Sequence, residues 1–154
     1  MQFIYEILSF NRILTVSLLA WFVAQVLKTL INFILLGKFQ LERMWGDGGM
    51  PSAHSATVCA MVIATARCEG IDSAIFAVAC VVAIIPMHDA MGVRRAAGEQ
   101  AEAINELREK ISEDQVEEDP FPEWGKPLRE ALGHKPTEVI SGAILGIAVS
   151  FLAF

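Results

Sequence analysis

Four apolar blocks, at about 13–36, 51–68, 73–91 and 136–154, divide the chain. Each is near the roughly 20 residues that carry a helix across the hydrocarbon core of a bilayer. In lipid every backbone polar group has to be bonded within its own segment, so blocks of this length predict helices. Their number predicts an all-α, polytopic membrane helix bundle with about four transmembrane helices. Composition agrees: of 154 residues, 54% are hydrophobic, too many for an ordinary soluble domain, while the charged residues gather between the blocks. Glu6 and Arg12 precede the first block without a small-residue cleavage pattern, which reads as an internal anchor rather than a removed signal. One integral membrane domain, 1–154, is expected, with no internal repeat.

The basic residues set the expected orientation. Lys38 and Arg43 lie between the first and second blocks, and Arg94, Arg95, Arg108, Lys110, Lys126, Arg129 and Lys135 between the third and fourth. The positive-inside rule places both connections in the cytoplasm and both termini outside. The longer connection reads as a cytoplasmic loop, with a mobile acidic stretch at about 112–125. The net charge of −6 does not oppose this, because acidic residues count little in that rule. No basic and aromatic interleaving points to nucleic acid. Cys59, Cys68 and Cys80 lack ligand spacing and read as small apolar filler.

Three motifs fall at the cytoplasmic ends of these blocks. In Gly48-Gly49-Met50-Pro51-Ser52-Ala53-His54-Ser55-Ala56 a glycine turn runs into a proline-started helix, whose first N–H groups can face a bound anion. Gly49 and Ser52 are candidate phosphate donors there, and His54 a proton-transfer group. In Pro86-Met87-His88-Asp89-Ala90-Met91-Gly92-Val93-Arg94-Arg95 the arginine pair offers forked donors to phosphate oxygens. Asp89 stands one turn earlier and can hold one arginine in place; the pair also suits a plain topology anchor. In Gly133-His134-Lys135-Pro136-Thr137-Glu138 a histidine again precedes a proline-started helix. Glu138 either fixes the His134 tautomer, freeing the other ring nitrogen as nucleophile or base, or merely caps its own helix. His88 and Asp89 invite a metal reading, but the ligand spacing does not converge, and no metal or cofactor is expected.

On the first helix Trp21, Gln25, Lys28 and Asn32 recur on one face, forming a polar stripe that must look into the bundle or a wet cavity. Lys28 is a site candidate because a lysine at that depth is costly in lipid, although it can also snorkel or pair with Asp89. On the last helix Gly142, Ala143, Gly146 and Ala148 suit close helix packing or a homodimer.

Together, Gly-Gly-Met-Pro-Ser-x-His-Ser-Ala, Asp-Ala-x-Gly-Val-Arg-Arg and Gly-His-x-Pro-x-Glu-Val resemble the divergent, short membrane branch of the type 2 phosphatidic acid phosphatase superfamily, which also includes the vanadium haloperoxidases. The resemblance runs from about residue 11 to the C-terminus; Glu138 and Ala53 stand where the usual pattern has aspartate and glycine. It implies a metal-free phosphomonoesterase working through a phosphohistidine. His134 would attack phosphorus, Glu138 support it, and His54 protonate the leaving oxygen, with Lys28, Arg43, Gly49, Ser52, Arg94 and Arg95 holding the phosphoryl oxygens. The membrane setting adds a lipid phosphate as substrate, such as phosphatidate, phosphatidylglycerophosphate or a polyprenyl phosphate, at the cytoplasmic face of a bacterial-type inner membrane. A noncatalytic protein that binds anionic headgroups or a partner, and a small transporter subunit using the Lys28 stripe, are the competing expectations.

Overall fold

The computed structural model describes residues 11–36, 49–114, 127–128 and 133–154. The described part is helical, with α1 at Arg12–Leu36, α2 at Ala53–Glu69, α3 at Ala74–Met91, α4 at Val93–Asp114 and α5 at Pro136–Leu152. The four apolar blocks are therefore α1, α2, α3 and α5. Among the described residues two stretches are long and apolar enough to cross a membrane, Arg12–Ile34 and Ala74–Ile111, while Pro136–Leu152 is apolar but shorter.

The helices start where the sequence supplies caps. Asn11 Oδ1 accepts from Leu14 N–H, Ser52 Oγ from Ser55 N–H and Ser73 Oγ from Phe76 N–H, and Pro136 opens α5. The structure adds one element to the expected connection. Residues 93–114, read from the sequence as part of a loop, form α4, and residues 112–114 of the expected mobile stretch are its last residues. The run is rich in Ala, Glu, Gln, Arg and Lys, all good helix formers, so propensity carries the backbone on after a one-residue break at Gly92. The rest of that stretch, 115–125, lies outside the described residues.

α2 is the hub, packed against α1, α3 and α5, whereas α4 touches only α3 among the described helices. Small residues make this possible. Val16, Ala20 and Ala24 form an inward line four apart on α1 and meet Ala53, Ala56, Ala60 and Ala64 of α2. Close van der Waals approach of this kind is what associates helices in lipid, where apolar burial offers little contrast with the acyl chains. α5 comes nearer still. A Cβ at Gly142 would lie 2.3 Å from the Ser52 carbonyl oxygen, and one at Gly146 would lie 2.1 Å from that of Ala56. Both glycines are thus used within the chain.

Contacts at both ends fix the directions. Ser52 N–H donates to the Glu138 carbonyl at one end, and Arg67 stacks over Phe151 and Phe154 at the other, so α2 and α5 run parallel. Arg12 also lies over the Phe154 ring, 4.5 Å from its centroid. α1 and α3 run the opposite way. The Cys59 thiol meets Met87 Sδ at 3.8 Å, between α2 and α3.

Candidate functional site

Four chain segments converge at the end of the bundle where α2 and α5 begin. The alanine line of α1 continues one turn further to Lys28, which is 5% exposed and carried by this register to the start of α2. There its Cε faces Gly49: a Cβ on that glycine would sit 3.1 Å from it. Gly49 also has φ +94°, a conformation L side chains rarely adopt. Trp21, Gln25 and Asn32 are half-buried while Phe22, Leu30, Phe33 and Ile34 are exposed, so the polar stripe faces the bundle rather than lipid.

The first turn of α2 follows. Ser52 and Ser55 are buried, their hydroxyls 3.1 Å apart, which seats the cap firmly. The N–H groups of Ala53 and His54 have no carbonyl of their own helix to bond and point out of the helix end. His54 is exposed.

His134 is placed from the opposite side. Its backbone N–H donates to the Ala90 carbonyl at the end of α3, 3.0 Å away. The preceding Gly133, with φ +81°, packs so tightly on the α4 backbone that a Cβ would lie 2.4 Å from Arg95 N. These two contacts fix the loop and bury the imidazole, which is 6% exposed. The His54 and His134 rings then meet edge to face, with centroids 6.4 Å apart and planes at 84°. Gly133 and Ala90, not among the residues singled out from the sequence, are what hold the second histidine; the glycine directly before it was the available signal.

The remaining residues divide. Asp89 Oδ2 accepts from Arg94 Nε at 2.7 Å, and Arg95 Nε donates to Glu99 at 2.9 Å along α4. The Glu138 carboxylate accepts from the Lys135 backbone N–H at 3.1 Å, the helix-capping geometry; a lysine side chain offers no acceptor in return, so only this half of a capping box forms. Arg43 lies outside the described residues, as do Lys38, Lys126 and Arg129. His88 is exposed, and among the described residues no three His, Cys, Asp or Glu side chains gather as a metal set.

The arrangement joins two histidines, a buried lysine and the positive ends of two parallel helices, a combination that attracts an anion. The sequence profile of the Divergent PAP2 family matches residues 9–149, which span all of these segments. The chain belongs to this family. It is also 43% identical over 141 residues, covering 88% of this chain and 89% of the relative, to a protein of Bacillus subtilis (strain 168) called "Uncharacterized membrane protein YuiD". No solved structure matches it significantly. Membership of the Divergent PAP2 family makes this a membrane protein with a phosphatase-like relationship.

Proposed function

We propose that this Divergent PAP2 protein hydrolyses a lipid phosphomonoester, or a lipid diphosphate, through a phosphohistidine. The observation that carries the reading is the pairing of a buried and an exposed histidine, 6.4 Å between ring centroids, at the joined N-termini of α2 and α5. The reading assigns His134, held from both sides by backbone, as nucleophile. Its ring nitrogen forms a bond to phosphorus as the bond from phosphorus to the lipid oxygen breaks, and His54 donates a proton to that oxygen. His54, in contact with solvent, next takes a proton from water as the water oxygen attacks phosphorus and the bond to His134 breaks. Lys28, Ser52, Gly49 and the first N–H groups of α2 neutralise the equatorial oxygens, with Arg94, positioned by Asp89, and Arg95 nearby. Such preorganised donors supply much of the catalysis, and loss of one typically costs on the order of 100-fold in rate. No metal enters the scheme.

The membrane frame of the proposal has four spans, α1, α2, α3 and α5, in a plasma membrane. The basic connections then put the site at the cytoplasmic leaflet, where a lipid can keep its tails in the bilayer while its phosphate reaches Lys28. One observation favours a second reading. Glu138 spends its carboxylate on the Lys135 N–H, as in a plain helix cap, which suits a protein that binds anionic headgroups without turning them over.

The deciding experiment is phosphate release by purified protein from phosphatidate, phosphatidylglycerophosphate and polyprenyl phosphate, with EDTA present. Wild type should turn over at least one lipid, vanadate should inhibit, and His134→Ala should be silent. Turnover that survives in His134→Ala, or that needs a divalent ion, refutes the mechanism. Headgroup binding without any turnover supports the second reading.

A further inference from the structure

The geometry points to Gln25 as a specificity-determining residue, hydrogen-bonding a hydroxyl carried by the substrate next to its phosphate. This rests on the lipid phosphate reading of the site and goes beyond it by selecting among lipids. Gln25 lies three residues before Lys28 on the same face of α1, about 4.5 Å further from the mouth along the helix axis. Its Oε1 is buried and has no hydrogen-bond partner. A buried amide oxygen without a partner is costly, and native structures seldom tolerate one without a reason. The oxygen is an acceptor only, so what completes it must bring an O–H or N–H.

The position defines which part of a ligand meets it. In this proposal a phosphate seated by Lys28, Gly49 and the start of α2 keeps its ester oxygen within reach of His54 and turns the carbons beyond it toward Gln25. A hydroxyl on the second carbon from the phosphoester oxygen lies about one helical turn from phosphorus, the offset between Lys28 and Gln25. A glycerol unit with a free hydroxyl fits this description. A polyprenyl chain would lay only hydrocarbon against the amide, and a diacylated glycerol phosphate has its neighbouring oxygens esterified and without protons to give. The half-buried Asn32 of the same stripe lies on the other side of Lys28, toward the mouth, so of the two amides it is Gln25 that has the depth for this contact.

The test uses the full chain in detergent, as wild type and as Gln25→Met, which keeps similar volume but removes the acceptor. Dioleoyl phosphatidylglycerophosphate, with a free glycerol hydroxyl, and dioleoyl phosphatidate, without one, are titrated while thermal stabilisation and phosphate release are recorded. Wild type should bind the hydroxylated lipid about ten-fold more tightly, the scale set by one net hydrogen bond. In Gln25→Met that ratio should fall to near one, while the melting temperature without lipid stays equal or rises. A ratio near one in wild type, a ratio unchanged in the variant, or a marked drop in the variant's unliganded melting temperature overturns the inference. A hydroxyl preference without phosphate release upholds it and removes the enzyme reading, whereas phosphate release without preference does the reverse. Binding of neither lipid removes both.

Discussion

Gly142→Ala tests whether the site depends on the contact between α2 and α5. The added Cβ would stand 2.3 Å from the Ser52 carbonyl oxygen and 3.0 Å from the Ser55 Cβ. Ordinary contact begins near 3.4 Å, so the helices must part by about 1 Å, because a backbone carbonyl at a helix cap cannot rotate aside. Overpacking of this kind costs about 1–3 kcal/mol. The shift also strains the Ser52 N–H bond to the Glu138 carbonyl, worth about 1 kcal/mol. Replacing a helical glycine returns about 1 kcal/mol in propensity. The steric term decides, and net destabilisation of about 1–3 kcal/mol follows. Function should suffer more than stability. Since His134 leads directly into α5, displacement by about 1 Å relative to His54 can cost on the order of 100-fold in rate. The assay pairs thermal unfolding in detergent with phosphate release, using Ala148→Val, at an exposed position of the same helix, as a control expected within about 0.5 kcal/mol of wild type. A Gly142→Ala protein as stable as that control would refute the packing argument.

Two further perturbations separate positioning from support. Asp89→Asn weakens the grip on Arg94; both side chains are substantially exposed, so stability should change by less than about 1 kcal/mol while kcat/KM falls several-fold, and unaltered turnover would show that Arg94 needs no positioning. Phe154→Ala removes the ring that Arg12 and Arg67 share at the end remote from the histidines, and should cost about 1–2 kcal/mol in unfolding measurements without a change in KM; a KM effect would mean that this end communicates with the site.

The helices of the four apolar blocks were legible because each is a long hydrophobic run with a cap or a proline at its start, and the observed ends fall within two residues of those expected. α4 was missed for the complementary reason. Charge dominates it, and its apolar residues Ala97, Ile104, Leu107 and Ile111 recur at helical spacing without ever forming a continuous run. The two histidine motifs were legible as proline-started helix entries, and the structure brings their rings together. What the chain could not announce was tertiary: which helix receives Gly142 and Gly146, and which carbonyl receives the His134 N–H. Glu138 is the instructive residue, since one sequence position serves equally to brace a histidine or cap a helix, and only the geometry shows its carboxylate on Lys135 N–H. Lys28 was legible as inward-facing, but its neighbour Gly49 follows from the register of α1 on α2.

The parallel course of α2 and α5 has an energetic consequence for the bundle. Two helices held at glycine distance with their positive ends side by side repel one another electrostatically, and the buried Lys28 adds to the same field. A doubly charged anion in the mouth cancels that repulsion, so it acts on the whole bundle and not only on the groups it touches. Occupancy and folding are linked through it: at about 100 times its dissociation constant, such an anion adds roughly 2.7 kcal/mol to the stability of the fold. The mouth of this bundle is a keystone position, where a bound anion would complete the arch.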